Sequence, residues 1–124
     1  MAKVYVVQQP MRRVRHEDIE RGYYDEHMVG KMVPAFDLTP ALRFGDIELL
    51  LDRGTIMGIA TQPVIRSFKE KLKDYSDEDS IIATGDPIAM GLAIAIAALQ
   101  NNGRVAVLRW DRREKAYVRI VSEI

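Results

Sequence analysis

Apolar and polar positions alternate, bunch and lapse along this chain so as to mark out its elements. Lys3–Gln8 gathers Val4, Tyr5, Val6 and Val7 and stops at Pro10, a β-branched and aromatic run that predicts a strand. Asp46–Leu51 (DIELLL), set between Gly45 and the Asp52-Arg53-Gly54 turn, predicts a second, and Thr55–Ala60 a short further one between Gly54 and Gly58. Pro63–Tyr75 changes period. Ile65, Phe68, Leu72 and Tyr75 recur at spacings of three and four, while Lys69, Glu70, Lys71 and Lys73 fall mostly off that stripe, so the segment is an amphipathic helix. Ser80–Thr84 is again a strand. Gly85-Asp86-Pro87 turns it into a second helix, with Asp86 as N-cap and Pro87 in the first turn, where its missing N–H costs nothing. Arg104–Trp110 and Ala116–Ile124 then make a β-hairpin around Asp111–Lys115.

The second helix carries no charged side chain. Ile88, Leu92, Ile96 and Leu99 form a large apolar stripe, Gly91, Ala95 and Ala98 a small one, and Ala89 and Ala93 are expected to face away from both. A helix apolar all round is covered all round. Either the first helix and the charged insertion at 12–32 cover the alanine face, or a second copy does, which makes Ala89 and Ala93 interface candidates. As a membrane span the helix is too short, since Pro87–Leu99 reaches about 20 Å against roughly 30 Å of hydrocarbon.

The order β, β, α, β, α, β, β predicts one α/β domain over 1–124: a small mostly parallel sheet with two crossover helices and a C-terminal antiparallel hairpin. Residues 12–32 interrupt it. That stretch mixes Arg12, Arg13, Arg15, His16, Glu17, Asp18, Glu20 and Arg21 with few apolar residues, and is expected to be a charged insertion with a helical turn or two around Glu17–His27. Thr39 and Pro40 are placed to begin a further helical turn.

Composition narrows the chemistry. With 48% hydrophobic and 29% charged residues the chain is globular, and with no cysteine it has no disulfide, thiolate ligand or thiol nucleophile. Lys+Arg and Asp+Glu are equal at 18 each, so no net field draws the whole molecule to nucleic acid or anionic lipid. The apolar run in MAKVYVVQQP is too short for a signal peptide. His16 and His27 match no zinc spacing, and no serine sits in a nucleophile elbow. No catalytic residue, metal site or cofactor is expected.

Two constellations remain. The turn Thr84-Gly85-Asp86 lies where open parallel sheets hold ligands and where a helix N-terminus favours anions, but it lacks a phosphate loop's glycines and lysine. Asp86 also places a negative charge where a phosphate would go, so capping is the better account of it. The hairpin carries Arg109, Arg112, Arg113 and Lys115 beside Trp110 and Tyr117, the mixture of cations and aromatic rings that holds single-stranded nucleic acid. Trp110 is better read as a core or partner-facing ring, and compensating acids elsewhere set the net charge to zero.

Two blocks carry a resemblance. One runs from Phe36-Asp37-Leu38-Thr39-Pro40-Ala41 to Gly45-Asp46-Ile47-Glu48-Leu49-Leu50. The other runs from Gly85-Asp86-Pro87 through Asn102-Gly103-Arg104 and Leu108-Arg109-Trp110-Asp111-Arg112 to Tyr117-Val118. With the opening KVYVVQQP, the chain resembles a family of small proteins encoded by tailed bacteriophages, over most of its length outside Arg12–Lys31. The resemblance implies expression in the cytoplasm of an infected bacterium and brings no activity with it. The expectation is a non-enzymatic accessory protein that binds another macromolecule, a host or phage protein, as a homo-oligomer. The alternatives are nucleic-acid binding through the hairpin, or a small ligand or nucleotide at the 84–87 turn.

Overall fold

The computed structural model describes residues 1–53, 55 and 57–124. Its main sheet has five strands in the order β4-β1-β5-β6-β7: β1 Lys3–Val6, β4 Asp46–Leu49, β5 Ser80–Ile82, β6 Arg104–Asp111 and β7 Ala116–Glu123. The pairs β1–β4, β1–β5 and β5–β6 are parallel, and β6–β7 is antiparallel in register from Arg104↔Glu123 to Asp111↔Ala116. This is the expected α/β class, with the mostly parallel sheet and the C-terminal hairpin.

Side chains of β1 alternate between two cores, as the two-residue period of a strand requires. Tyr5 and Val7 join the cluster under α2 (Gln62–Lys71) and α3 (Pro87–Gln100), which includes Phe68, Leu72, Ile81 and Val105. Val4 and Val6 point the other way, to Ile82, Leu108 and Tyr117 beneath the 3-10 turn Thr39–Phe44. The chain leaves β1 toward one edge and afterwards winds toward the other. Right-handed crossovers then put the early connection on one face and both helices on the opposite one. One face has two helices over it. The other has a single short turn, anchored where the Arg43 guanidinium donates to the Tyr117 carbonyl at 3.3 Å.

Residues 12–32 form a small excursion closed at its base by a two-stranded ribbon, β2 (Met11–Arg13) with β3 (Met32–Pro34), and carrying α1 (His16–Glu20) and a 3-10 turn at Glu26–Met28. Asp18 organises it: its carboxylate accepts from Arg12 at 2.9 and 3.3 Å and from the Arg15 amide at 2.8 Å. The turn begun at Thr39-Pro40 is 3-10; its N-cap position is Leu38, not Thr39, and Asp37 just before it accepts at Oδ1 from both the amide and the hydroxyl of Thr39. The short strand expected at 55–60 falls partly on Ile56, outside the described residues.

One expectation is corrected. Ala89 and Ala93 do not face outward; both are fully buried against the sheet, together with Ile96, Ala97 and Ala98. The outer strip of α3 is instead Ile88, Gly91, Ala95 and Leu99, with Leu92 beside it. Close approach of the α3 backbone to the sheet explains the reversal: alanines let the helix sit low, and the larger side chains are left over the outside.

Candidate functional site

At the carboxyl ends of β1 and β5, where the winding reverses direction, an open sheet ordinarily leaves a ligand crevice. Here the protein's own groups occupy it. The Gln8 side chain accepts from the Asp86 amide at 2.9 Å and donates to the Thr55 carbonyl at 2.7 Å. Gly85 sits at φ 99°, and a Cβ added there would lie 2.5 Å from the Gln8 side chain, so glycine is needed both for the backbone and for the fit. Asp86 Oδ1 accepts from the Ile88 and Ala89 amides at 2.9 and 3.2 Å, filling the position an anion would take at the α3 N-terminus. Of the three turn candidates, Gly85 and Asp86 are thus spent on closing the fold. Thr84 is not; it lines a larger hollow on the other side.

That hollow is a groove of about 710 Å³, within the range of ligand pockets and mostly apolar. Phe36, Pro40, Ile82, Thr84, Trp110 and Tyr117 form much of its wall. Three chain regions bring them together: the segment leading to the 3-10 turn, the end of β5, and the β6–β7 hairpin. Trp110 and Tyr117 pair across the hairpin with ring centroids 5.0 Å apart and planes at 70°, an edge-to-face contact. Tyr117 is buried, whereas Trp110 keeps 42% of its surface exposed and Phe36 37%. Burial pushes the Tyr117 hydroxyl upward in pKa, the Asp37 charge adds to this, and the Thr39 hydroxyl and amide hold Asp37 itself below the usual carboxylate value.

Next to the groove is a smaller hollow of about 320 Å³, lined by Arg109, Trp110, Asp111, Arg112, Arg113 and Val118. Arg109, Arg112, Arg113 and Lys115 are all exposed at this end of the hairpin. Among the described residues the ion pairs are Lys3–Glu48, Arg12–Asp18, Lys73–Glu70 and Arg104–Asp77, so none involves these four. Asp111 is occupied locally, accepting from the Arg113 and Glu114 amides at 2.9 and 3.2 Å. The other cations of the hairpin do structural work. Arg104 pairs with Asp77 at 2.9 Å, and Arg119 reaches the Ser80 hydroxyl and the Asp77 and Asp79 carbonyls.

Sequence reasoning brought forward Thr84, Trp110 and the four tip cations, which the fold places on one flank. It did not bring forward Phe36 and Tyr117 as groove walls, nor Gln8 as the side chain closing the crevice. His16 and His27 are exposed in the excursion, and among the described residues no three His, Asp or Glu side chains converge. Among those residues, too, no buried side-chain nitrogen or oxygen lacks a hydrogen-bond partner. Among the described residues no helix is long and apolar enough to cross a membrane.

The molecule is therefore a small open-sheet α/β protein with a closed switch-point crevice and an open aromatic groove beside a basic hairpin tip. By sequence it matches the family described as Phage Pam3 gp32-like protein over residues 2–124, and it belongs to that family. The phage resemblance carried by the Gly85-Asp86-Pro87 and Trp110-Asp111-Arg112 blocks is confirmed, and the matched span runs through residues 12–31 as well. No curated relative and no solved structure matches the chain.

Proposed function

We propose that this phage protein is a non-enzymatic accessory factor of the infected bacterial cytoplasm, acting by occupying macromolecular surfaces, and that it does so as a homodimer. The observation that carries the reading is the outer strip of α3. Ile88 is 58% exposed and Leu99 82%, with Gly91 and Ala95 between them and no charge on the strip. Water is a poor neighbour for such a surface.

The second copy suits it for a symmetry reason. Ile88 and Leu99 lie equally far from the helix midpoint, as do Leu92 and Ala95. An antiparallel two-fold contact then sets Ile88 on Leu99 of the partner subunit and Leu92 on the partner's Ala95, large against small, with opposed helix dipoles. An added Cβ at Gly91 meets nothing within 4 Å, so another backbone can come close there. A helix pair about 21 Å long buries less than the roughly 800 Å² per partner of a standard stable interface, so the dimer is expected to exchange at micromolar concentration. Sedimentation velocity from about 1 to 100 μM tests this. A mass rising from one chain to two supports the dimer, and a single-chain mass throughout removes it.

A further inference from the structure

We propose that the groove and the hairpin tip together form a binding surface for single-stranded nucleic acid, with one base against Trp110 and the flanking phosphates on the tip arginines. This surface is separate from the α3 strip and does not depend on the dimer.

The geometry carries it as follows. The apolar groove and the arginine-lined hollow share two wall residues, Arg109 and Trp110. An aromatic ring thus stands between an apolar space and a cationic one. Trp110 is braced edge-on by Tyr117 and retains 42% of its surface, so the indole is held in place and still open. A nucleotide has the matching parts: a flat base to stack on a ring and an anionic phosphate next to it. The charge is complementary at the tip. Arg109, Arg112, Arg113 and Lys115 outnumber the two acids there, Glu114 and Asp111, whose Oδ1 already accepts from two amides of its own turn. Asp37 lines the groove away from those cations in sequence and keeps its charge through Thr39, which disfavours a phosphate there and confines the backbone to the tip. Stacking tolerates any base, so little sequence preference is expected.

The chain has one tryptophan, so its emission reports this site alone. Full-length protein titrated with a ten-residue oligodeoxythymidine at low salt should show saturable quenching. With four phosphates contacted, affinity should fall about 50-fold between 50 and 200 mM salt. An Arg112→Gln, Arg113→Gln double variant, altering two exposed residues, should keep the quenching and reduce that fall to about 7-fold. Trp110→Phe, followed by anisotropy of a labelled oligonucleotide, should keep the salt dependence and weaken binding. No quenching at low salt overturns the proposal. So does equal quenching by thymidine monophosphate without salt dependence, which assigns the groove to a small ligand, and so does an unchanged salt dependence in the double variant.

Discussion

Helices α2 and α3 lie on the same face of the same sheet and share one core, yet their outer sides are unlike. α2 turns Arg66, Lys69 and Glu70 to solvent, the division of faces expected of a surface helix. α3 turns out Ile88, Gly91, Ala95 and Leu99. The ends differ as well. The Asp86 carboxylate caps α3, whereas Thr61 before α2 makes no side-chain capping bond. The helix with the better-made start and the tighter seat on the sheet is the one whose back is unsuited to water. That combination points to a surface kept for something else.

Substitutions that separate the two faces of α3 should have the largest effect. Ala93→Glu places a carboxylate on a fully buried position and should cost more than about 3 kcal/mol in urea denaturation. Ala95→Glu, on the outer strip, should stay within about 0.5 kcal/mol for the monomer while abolishing self-association. Equal losses at both sites would mean that the outer strip is packed within the chain.

Next comes the α3 entrance. Gly85→Ala meets both a positive φ and the Gln8 side chain, and about 2–3 kcal/mol of destabilisation is expected from thermal melts. Pairing it with Gln8→Ala should recover little, since the positive φ remains and so does the Gln8 Cβ, the atom nearest the added methyl. Asp86→Ala should cost about 1 kcal/mol, and Thr61→Ala less than about 0.5 kcal/mol. A reversed order would show that the caps are not what distinguishes the helices.

The smallest effect concerns the excursion. Arg12, and then the Arg15 amide, hold the Asp18 carboxyl below its ordinary pKa. A carboxyl lowered in the folded state contributes its full stability above the unfolded value of about 3.9 and loses it as pH falls through the folded one. Amide protection factors at Val14 and Gly30, which bond to the Lys31 and Val14 carbonyls, should therefore fall in acid before those in β1 do. Asp18→Asn should remove most of that pH dependence.

The sheet, the crossover helices and the hairpin were legible because each has a local sign: β-branched runs, the Ile65–Phe68–Leu72 spacing, the Asp86-Pro87 start. The orientation of α3 was not. With apolar residues on every side there is no polar stripe to mark the outside, and residue size alone put Ala89 and Ala93 on the wrong face. The closed crevice was equally hidden, since Gln8 and Asp86 stand 78 positions apart and nothing near Gln8 announces a partner. The groove had half a signal. Trp110 and the tip cations are neighbours in sequence, whereas Phe36 reaches them only through the fold.

Because the chain has no cysteine, a single introduced thiol gives the most direct test of α3 as a surface between copies. Near the midpoint of an antiparallel pair, Ala95→Cys lies close enough to its own counterpart to oxidise to a covalent dimer, while Arg66→Cys on α2 has no counterpart within reach. Under mild oxidation at micromolar concentration the account predicts rapid cross-linking of the Ala95 variant and a monomer for the Arg66 variant. Equal cross-linking of both, or of neither, would contradict it.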